Sequence, residues 1–200
     1  MTAADPLRPL AVVGDADLAR LHARLVRAAA ADGVLDVAYR TLETSLGSLL
    51  LAATERGLVR VAFEREGHDA VLAVLAARIS PRILRAPARL DDAARELEEY
   101  LAGRRHAFDL PVDLRLATGF RREVLDHLPE IPYGRTASYT QVATAAGRPR
   151  AVRAVGTACA TNPLPLVLPC HRVLRSDGSL GGYLGGAEAK KTLLELERAA

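Results

Sequence analysis

Apolar positions in the first half of the chain recur with helical spacing in some stretches and strand-like spacing in others, and each change of spacing marks an element. Between Asp15 and Ala31, the residues Leu18, Leu21, Leu25 and Val26 fall at helical intervals. Asp15 or Asp17 can cap the start and Gly33 can end it, which predicts a peripheral amphipathic helix. Residues 35–41, 47–54 and 58–63 read as strands, with Glu55-Arg56-Gly57 turning between the second and third, so an antiparallel meander is expected. Val71, Leu72, Leu75 and Ala76 predict a helix over 68–78. The Pro-punctuated stretch 79–88 has room for a short strand, and 91–102 reads as another helix. These elements form a small α+β layer structure with no visible catalytic constellation, and a scaffolding role is expected of them.

Arg104-Arg105 and Pro111 mark a linker, and a second unit begins near Asp113, giving the division 1–112 and 113–200. Here the pattern changes to short helices between tight turns. Phe120, Val124 and Leu128 share one face of a helix over 118–128, which Ile131-Pro132-Tyr133-Gly134 breaks. Ser138 precedes Gln141 at capping-box spacing and starts a helix through Ala146; Gly147-Arg148-Pro149 closes it and opens another over 150–161. Helix, glycine-containing turn, helix is the layout of a helix-turn-helix, and also of an ordinary αα-hairpin. Ala151, Ala154, Gly156, Ala158 and Ala160 would let the second helix approach either a core or a DNA groove closely. Arg150 and Arg153 at its start favour DNA, because a guanidinium pairs with phosphate or stacks on a base. A glycine-rich loop over 180–186 matches no phosphate-binding fingerprint, and a last helix over 187–198 brings Leu193, Leu194 and Glu197 near one another. On spacing alone, Glu197 reads as a surface carboxylate.

Composition narrows the class. Half of the 200 residues are hydrophobic, enough for a packed core, while the longest apolar runs are far too short to cross a bilayer. Neither an export signal nor a membrane anchor is visible around Asp5 and Arg8. The two cysteines, Cys159 and Cys170, support neither a disulfide framework nor a zinc ribbon, which implies a reducing, cytoplasmic setting. His22, His68 and His106 stand alone, so no metal site is expected, and Glu96, Glu98 and Glu99 read as the wet face of a helix. The net charge of +3 is small, but arginines gather between Leu116 and Arg175.

Pro169-Cys170-His171-Arg172-Val173 closes the apolar run 164–168 and sets a thiol beside an imidazole. A free thiol is mostly protonated at neutral pH, and a neighbouring base or cation makes it a nucleophile. Taken alone the motif is more often inert packing, a Cys beside a His in a buried strand.

In fixed order the chain carries Ile131-Pro132-Tyr133-Gly134, Ser138-Tyr139, Arg153-Ala154-Val155-Gly156, Asn162-Pro163, Pro169-Cys170-His171-Arg172-Val173, Gly182-Tyr183 with Gly185-Gly186, and Lys190, Leu193-Leu194 and Glu197. This series resembles the O6-alkylguanine-DNA alkyltransferase family, the methylated-DNA–protein-cysteine methyltransferases. The resemblance implies an α+β fold: a small ribonuclease-H-like α/β domain (1–112) followed by a mainly helical domain with a helix-turn-helix (113–200). It implies single-turnover transfer of an alkyl group from O6-alkylguanine in double-stranded DNA to Cys170, with O4-alkylthymine a second candidate substrate. His171, reached through a water and oriented by Glu197, would take the thiol proton, in an environment expected to lower the thiol pKa. Tyr139 would donate to guanine N3, and Asn162 would organise the turn ahead of the reactive segment. Arg153 would fill the space of the flipped nucleotide, with Arg150, Ala151, Ala154, Gly156 and Ser138 at the minor groove. Pro165, Val173, Tyr183 and Leu184 would wall the pocket. No cofactor, no metal and a monomer are implied.

Two positions depart from the family pattern. Leu125 stands where many members have tryptophan, and a repacked core is expected there; Leu184 is bulkier than is usual and bears on the alkyl size accepted. Members with a separate regulatory methyl-acceptor domain are longer, so repair without transcriptional control is expected.

Overall fold

The computed structural model describes residues 14–198; the stretch around Asp5 and Arg8 lies outside them. Contacts divide the chain into two compact units, Met1–Leu35 and Asp36–Ala200. In the first, α1 (Asp15–Ala31) is the amphipathic helix the leucine spacing predicts, and it starts after Gly14 without a side-chain cap.

The second unit opens with β1 (Val37–Thr44), β2 (Gly47–Thr54) and β3 (Gly57–Phe63), the expected antiparallel meander. The first strand runs later than the sequence suggested, because the pairs from Ala38↔Ala53 to Thr44↔Gly47 carry it to the hairpin. After α2 (His68–Arg78), β4 (Ile83–Arg85) pairs parallel to β1, so the sheet order is β3-β2-β1-β4 and β3 is an edge. Val37, Leu50, Ala52, Val59 and Ala62 bury one face of the sheet with Val71 and Leu75 of α2 and with Leu116. Each buried Val or Leu side chain among them contributes about 1.5–3 kcal/mol by leaving water, and each Ala less.

Next comes α3 (Asp91–Leu101), which turns Ala93, Ala94, Glu96, Leu97 and Tyr100 inward. Glu96 is therefore not on a wet face: it accepts from the Asp109 amide at 2.9 Å and pairs with Arg105 at 3.3 Å. These bonds fold the 104–111 stretch back on α3. Pro111 and Asp113 continue along the edge strand, exchanging backbone bonds with Leu58 at 2.8 Å each, so the expected linker is stitched to β3.

Four helices follow: α4 (Phe120–His127), α5 (Tyr139–Ala145), α6 (Val152–Ala160) and α7 (Gly186–Arg198). Leu125 is fully buried in this core. The predicted capping box is present: Ser138 Oγ accepts from the Gln141 amide at 3.1 Å and Gln141 Oε1 from the Ser138 amide at 2.7 Å. Two short strands, β5 (Ala137–Ser138) and β6 (Val173–Leu174), pair in parallel and bring the start of α5 beside the Cys-His segment. Among the described residues, no helix is long and apolar enough to cross a membrane.

Candidate active site

Asn162 builds the support of Cys170. Its Nδ2 donates to the Leu168 carbonyl at 2.8 Å and to Cys170 Sγ at 3.2 Å, while its Oδ1 accepts from the Leu164 amide at 2.9 Å. One amide thus closes the loop from 162 to 170 from inside. Within it, buried Leu166 holds φ 71°, the left-handed conformation that non-glycine residues avoid. Cys170–Arg172 then forms a 3-10 turn, and only Val173–Leu174 is extended.

The expected depressed thiol pKa is not what this environment produces. Cys170 is 2% exposed, and burial raises its thiol to about 11, partly offset by the Asn162 hydrogen bond and the Lys190 charge. At neutral pH Cys170 is therefore a neutral thiol. Lys190 is itself fully buried, donates to the Val173 carbonyl at 2.6 Å, and is lowered by burial.

His171, also fully buried, places Nε2 2.9 Å from Glu197 Oε1. Glu197 is buried rather than on the surface. Burial alone would raise its carboxyl, but hydrogen bonds from His171 and Arg172 outweigh this and hold it at about 2. Arg172 Nε donates to both carboxylate oxygens at 3.0 Å and Nη2 to Oε1 at 2.9 Å, while the Gly134 amide reaches Oε2 at 3.1 Å. Arg172, one of the clustered arginines in the sequence, is thus spent inside the protein. An ionised carboxylate only accepts, so Nε2 carries the imidazole proton. Burial lowers the His171 pKa and keeps the ring neutral. Its Nδ1 is buried with no protein partner and remains as the basic nitrogen.

Tyr139 is half-buried, and burial followed by the nearby Cys159 and Cys170 raises its pKa, so it stays a donor. The glycine loop presses on it: a Cβ at Gly181 would overlap the Tyr139 hydroxyl. The Tyr183 ring stands edge-on to His171 with centroids 6.2 Å apart and to Phe63 at 5.6 Å. Pro165 and Val173 are buried in the same segment as Cys170. Leu184 is placed differently from the resemblance: it lines a cavity of about 350 Å³ with Leu75, Leu116, Thr161 and Pro163.

On α6, Val155, Ala158 and Cys159 face inward, while Arg153 and Ala154 are exposed and Gly156 has open space beyond its Cα. Of the small residues, Ala154, Gly156 and Ala160 therefore look outward and Ala158 inward. Helix α6 begins at Val152, so Arg150 and Ala151 sit in the turn before it rather than on its first turn. Arg148 is held by Glu123 at 3.3 Å and lies over Phe120. Ser138 Oγ is engaged in its cap.

Sequence reasoning missed two contributors from the sheet half. Tyr100 sends its hydroxyl to Glu197 Oε1 at 2.5 Å, and Arg60 donates to the Asn162 carbonyl at 3.3 Å. No sequence signal pointed to Arg60; for Tyr100 the signal was an aromatic on the inner face of an amphipathic helix. No three His, Cys, Asp or Glu side chains converge as a metal would require among the described residues.

A sheet domain joined to a helix-turn-helix, with a buried thiol beside a carboxylate-held imidazole, is the layout of a DNA-binding protein with a cysteine at its site. Residues 37–114 match the ribonuclease-like domain of 6-O-methylguanine DNA methyltransferase, and residues 119–199 match its DNA binding domain. The chain belongs to the 6-O-methylguanine DNA methyltransferase family. It is 39% identical over 159 residues to the methylated-DNA–protein-cysteine methyltransferase of Methanosarcina barkeri, covering 80% of this chain and 96% of that one. It is 41% identical to the bifunctional transcriptional activator/DNA repair enzyme Ada of Escherichia coli, over 82% of this chain and 46% of Ada. Mycobacterium tuberculosis OGT, solved in complex with DNA, superposes with a TM-score of 0.72 at 36% identity, covering 81% of this chain and 93% of that one.

Proposed function

We propose that this chain repairs O6-alkylguanine in double-stranded DNA by direct reversal, taking the alkyl group onto Cys170 in a single irreversible transfer. The observation that carries the mechanism is the 2.9 Å contact of His171 Nε2 with Glu197 Oε1 beside a buried Nδ1 without a protein partner: an ionised Glu197 holds the proton on Nε2 and leaves Nδ1 as the base. Because the resting thiol is neutral, deprotonation accompanies attack. The Cys170 S–C bond forms as the C–O6 bond breaks, and the electron pair of that bond returns to the guanine. The thiol proton passes through a bridging water to His171 Nδ1. Tyr139 donates to N3 as negative charge builds on the base. Asn162 and Lys190 stabilise the developing thiolate, and the thioether product does not hydrolyse, so each chain acts once.

The target carbon is inaccessible in a stacked duplex, and flipping costs a few kcal/mol. Arg153 takes the vacated place, and Arg150, Ala151, Ala154, Gly156 and Ser138 lie along the minor groove. Pro165, Val173 and Tyr183 bound the base pocket, and Leu184 joins them when the glycine loop moves to admit the base. Residues 113–200 carry the DNA-binding and acceptor groups, and 1–112 supports them. The protein works as a cytoplasmic monomer without cofactor.

Duplex DNA labelled in the O6-methyl group tests this. Label should move to protein, at most one per chain, and Cys170→Ala should abolish transfer. Label released as methanol over many turnovers would establish a hydrolase instead, and tight binding without transfer a damage-flagging protein.

A further inference from the structure

Tyr100 lies in the last turn of α3, in the half of the chain from which only scaffolding is expected. Its ring is fully buried, 5.1 Å from Phe108 and 6.1 Å from Tyr133 between centroids, so neighbours on two sides fix its orientation. Its hydroxyl lies 2.5 Å from Glu197 Oε1 and 3.2 Å from His171 Nε2, and that same Oε1 is the atom 2.9 Å from Nε2. Phenol, carboxylate and imidazole therefore meet at one point. A buried tyrosine commonly finds some partner for its hydroxyl. Here the partner is the group that sets the tautomer of the proposed base.

We propose that Tyr100 is a positioning residue for alkyl transfer, holding the Glu197 oxygen and His171 Nε2 in the geometry that keeps the imidazole proton on Nε2. The inference rests on the proposed function and deepens it. Burial, then the Glu197 charge, drives the Tyr100 pKa far above its usual value, so the phenol remains a donor throughout the working pH range. Donating to Oε1 leaves a phenol lone pair facing the Nε2 proton, a second acceptor as that proton gains positive charge when Nδ1 is protonated. Arg172 neutralises Glu197 but cannot do this, since a guanidinium only donates. The charged and titratable groups around His171 are Glu197 and Lys190 of α7, Arg172 of the adjoining turn, Tyr100 of α3 and Tyr183 of the glycine loop.

The test compares single-turnover transfer by the full chain and by Tyr100→Phe, which keeps the ring and removes the hydroxyl. Transfer should slow by about tenfold, equally on duplex DNA and on free O6-benzylguanine, as expected for loss of one hydrogen bond to a charged group. Losing the phenol removes a donor to Oε1, which raises the His171 pKa, and an acceptor for Nε2–H, which lowers it, so the acid limb of the pH–rate profile should move: to higher pH where the donor role dominates and to lower pH where the acceptor role does. Wild-type rate with an unmoved limb in Tyr100→Phe would overturn the role. So would an equal shift in Phe108→Leu, which disturbs the ring packing and keeps the hydroxyl. Nitrogen NMR of the unmodified protein needs no variant to fold: neutral His171 protonated on Nε2 is expected, and protonation on Nδ1 refutes the role. If wild type transfers no label to Cys170, the functional reading itself falls; transfer by wild type with an unaltered Tyr100→Phe removes only Tyr100.

Discussion

Arg60 Nη1 donates to the backbone carbonyl of Asn162 at 3.3 Å, joining the edge of the N-terminal sheet to the residue whose side chain reaches Cys170 Sγ. The neighbouring Val61 amide donates to the Pro163 carbonyl at 2.9 Å, so Asn162-Pro163 docks on β3 like a fragment of an added strand. Glu66 pairs with the same guanidinium and fixes it from the other side.

Arg60→Met keeps the aliphatic stem and removes these polar contacts. We expect a stability loss of about 1–3 kcal/mol, mainly because Glu66 loses its partner in a half-buried site. Alkyl transfer should also slow several-fold as Asn162 loosens under the thiol. Thermal melting together with single-turnover kinetics separates the two effects, and unchanged kinetics would show that Asn162 is held without Arg60.

Gly181→Ala probes the loop over the site. The added methyl would overlap the Tyr139 hydroxyl, so either the ring or the loop must shift. Transfer to free O6-benzylguanine and to duplex DNA should fall together by about tenfold or more, since a misplaced donor weakens the step common to both. The melting temperature should barely change, because the loop carries little core.

What was legible in the sequence was local. The Ser138–Gln141 capping box, the helix breaks at Gly134 and Gly147, and the Cys-His pair lie within a few residues of one another and came through intact. Contacts made across the chain did not. Tyr100 and Arg60 meet the reactive segment from 71 and 102 residues away, and no periodicity connects such positions. Glu96 and, on spacing alone, Glu197 read as solvent-facing charges because spacing cannot show a buried partner. The thiol pKa was expected to fall because a neighbouring imidazole is visible in sequence, whereas the burial that raises it is a property of the packed chain.

Arg153 is exposed on α6 with its side chain outside the core, so its replacement should not unfold the protein. Arg153→Ala should weaken repair of duplex DNA far more than reaction with free O6-benzylguanine, and should reduce the salt slope of DNA binding by about one if the guanidinium also contacts phosphate. Equal losses on both substrates would remove it from the flipping step.

The buried thiols should set an alkaline limit on stability. An unfolded cysteine titrates near 8.5, whereas burial holds Cys170 up to about 11 and raises Cys159 as well. Between those values the folded chain binds more protons than the unfolded one, so the thiols' contribution is fully present below about pH 8.5 and is lost as pH rises toward about 11. Lys190 opposes this trend, because burial lowers its folded pKa, and Tyr100 and Tyr183 reinforce it only above their ordinary values near 10. Melting temperatures at pH 7.5, 9 and 10 for wild type and for Cys159→Ala/Cys170→Ala isolate the thiol part: the wild type should lose more on going alkaline. A chain already alkylated on Cys170 offers a stricter comparison, since a thioether cannot ionise. Its alkaline loss should lie between the two, with Cys159 supplying what remains; a curve identical to the unreacted wild type would mean that Cys170 does not titrate in this window.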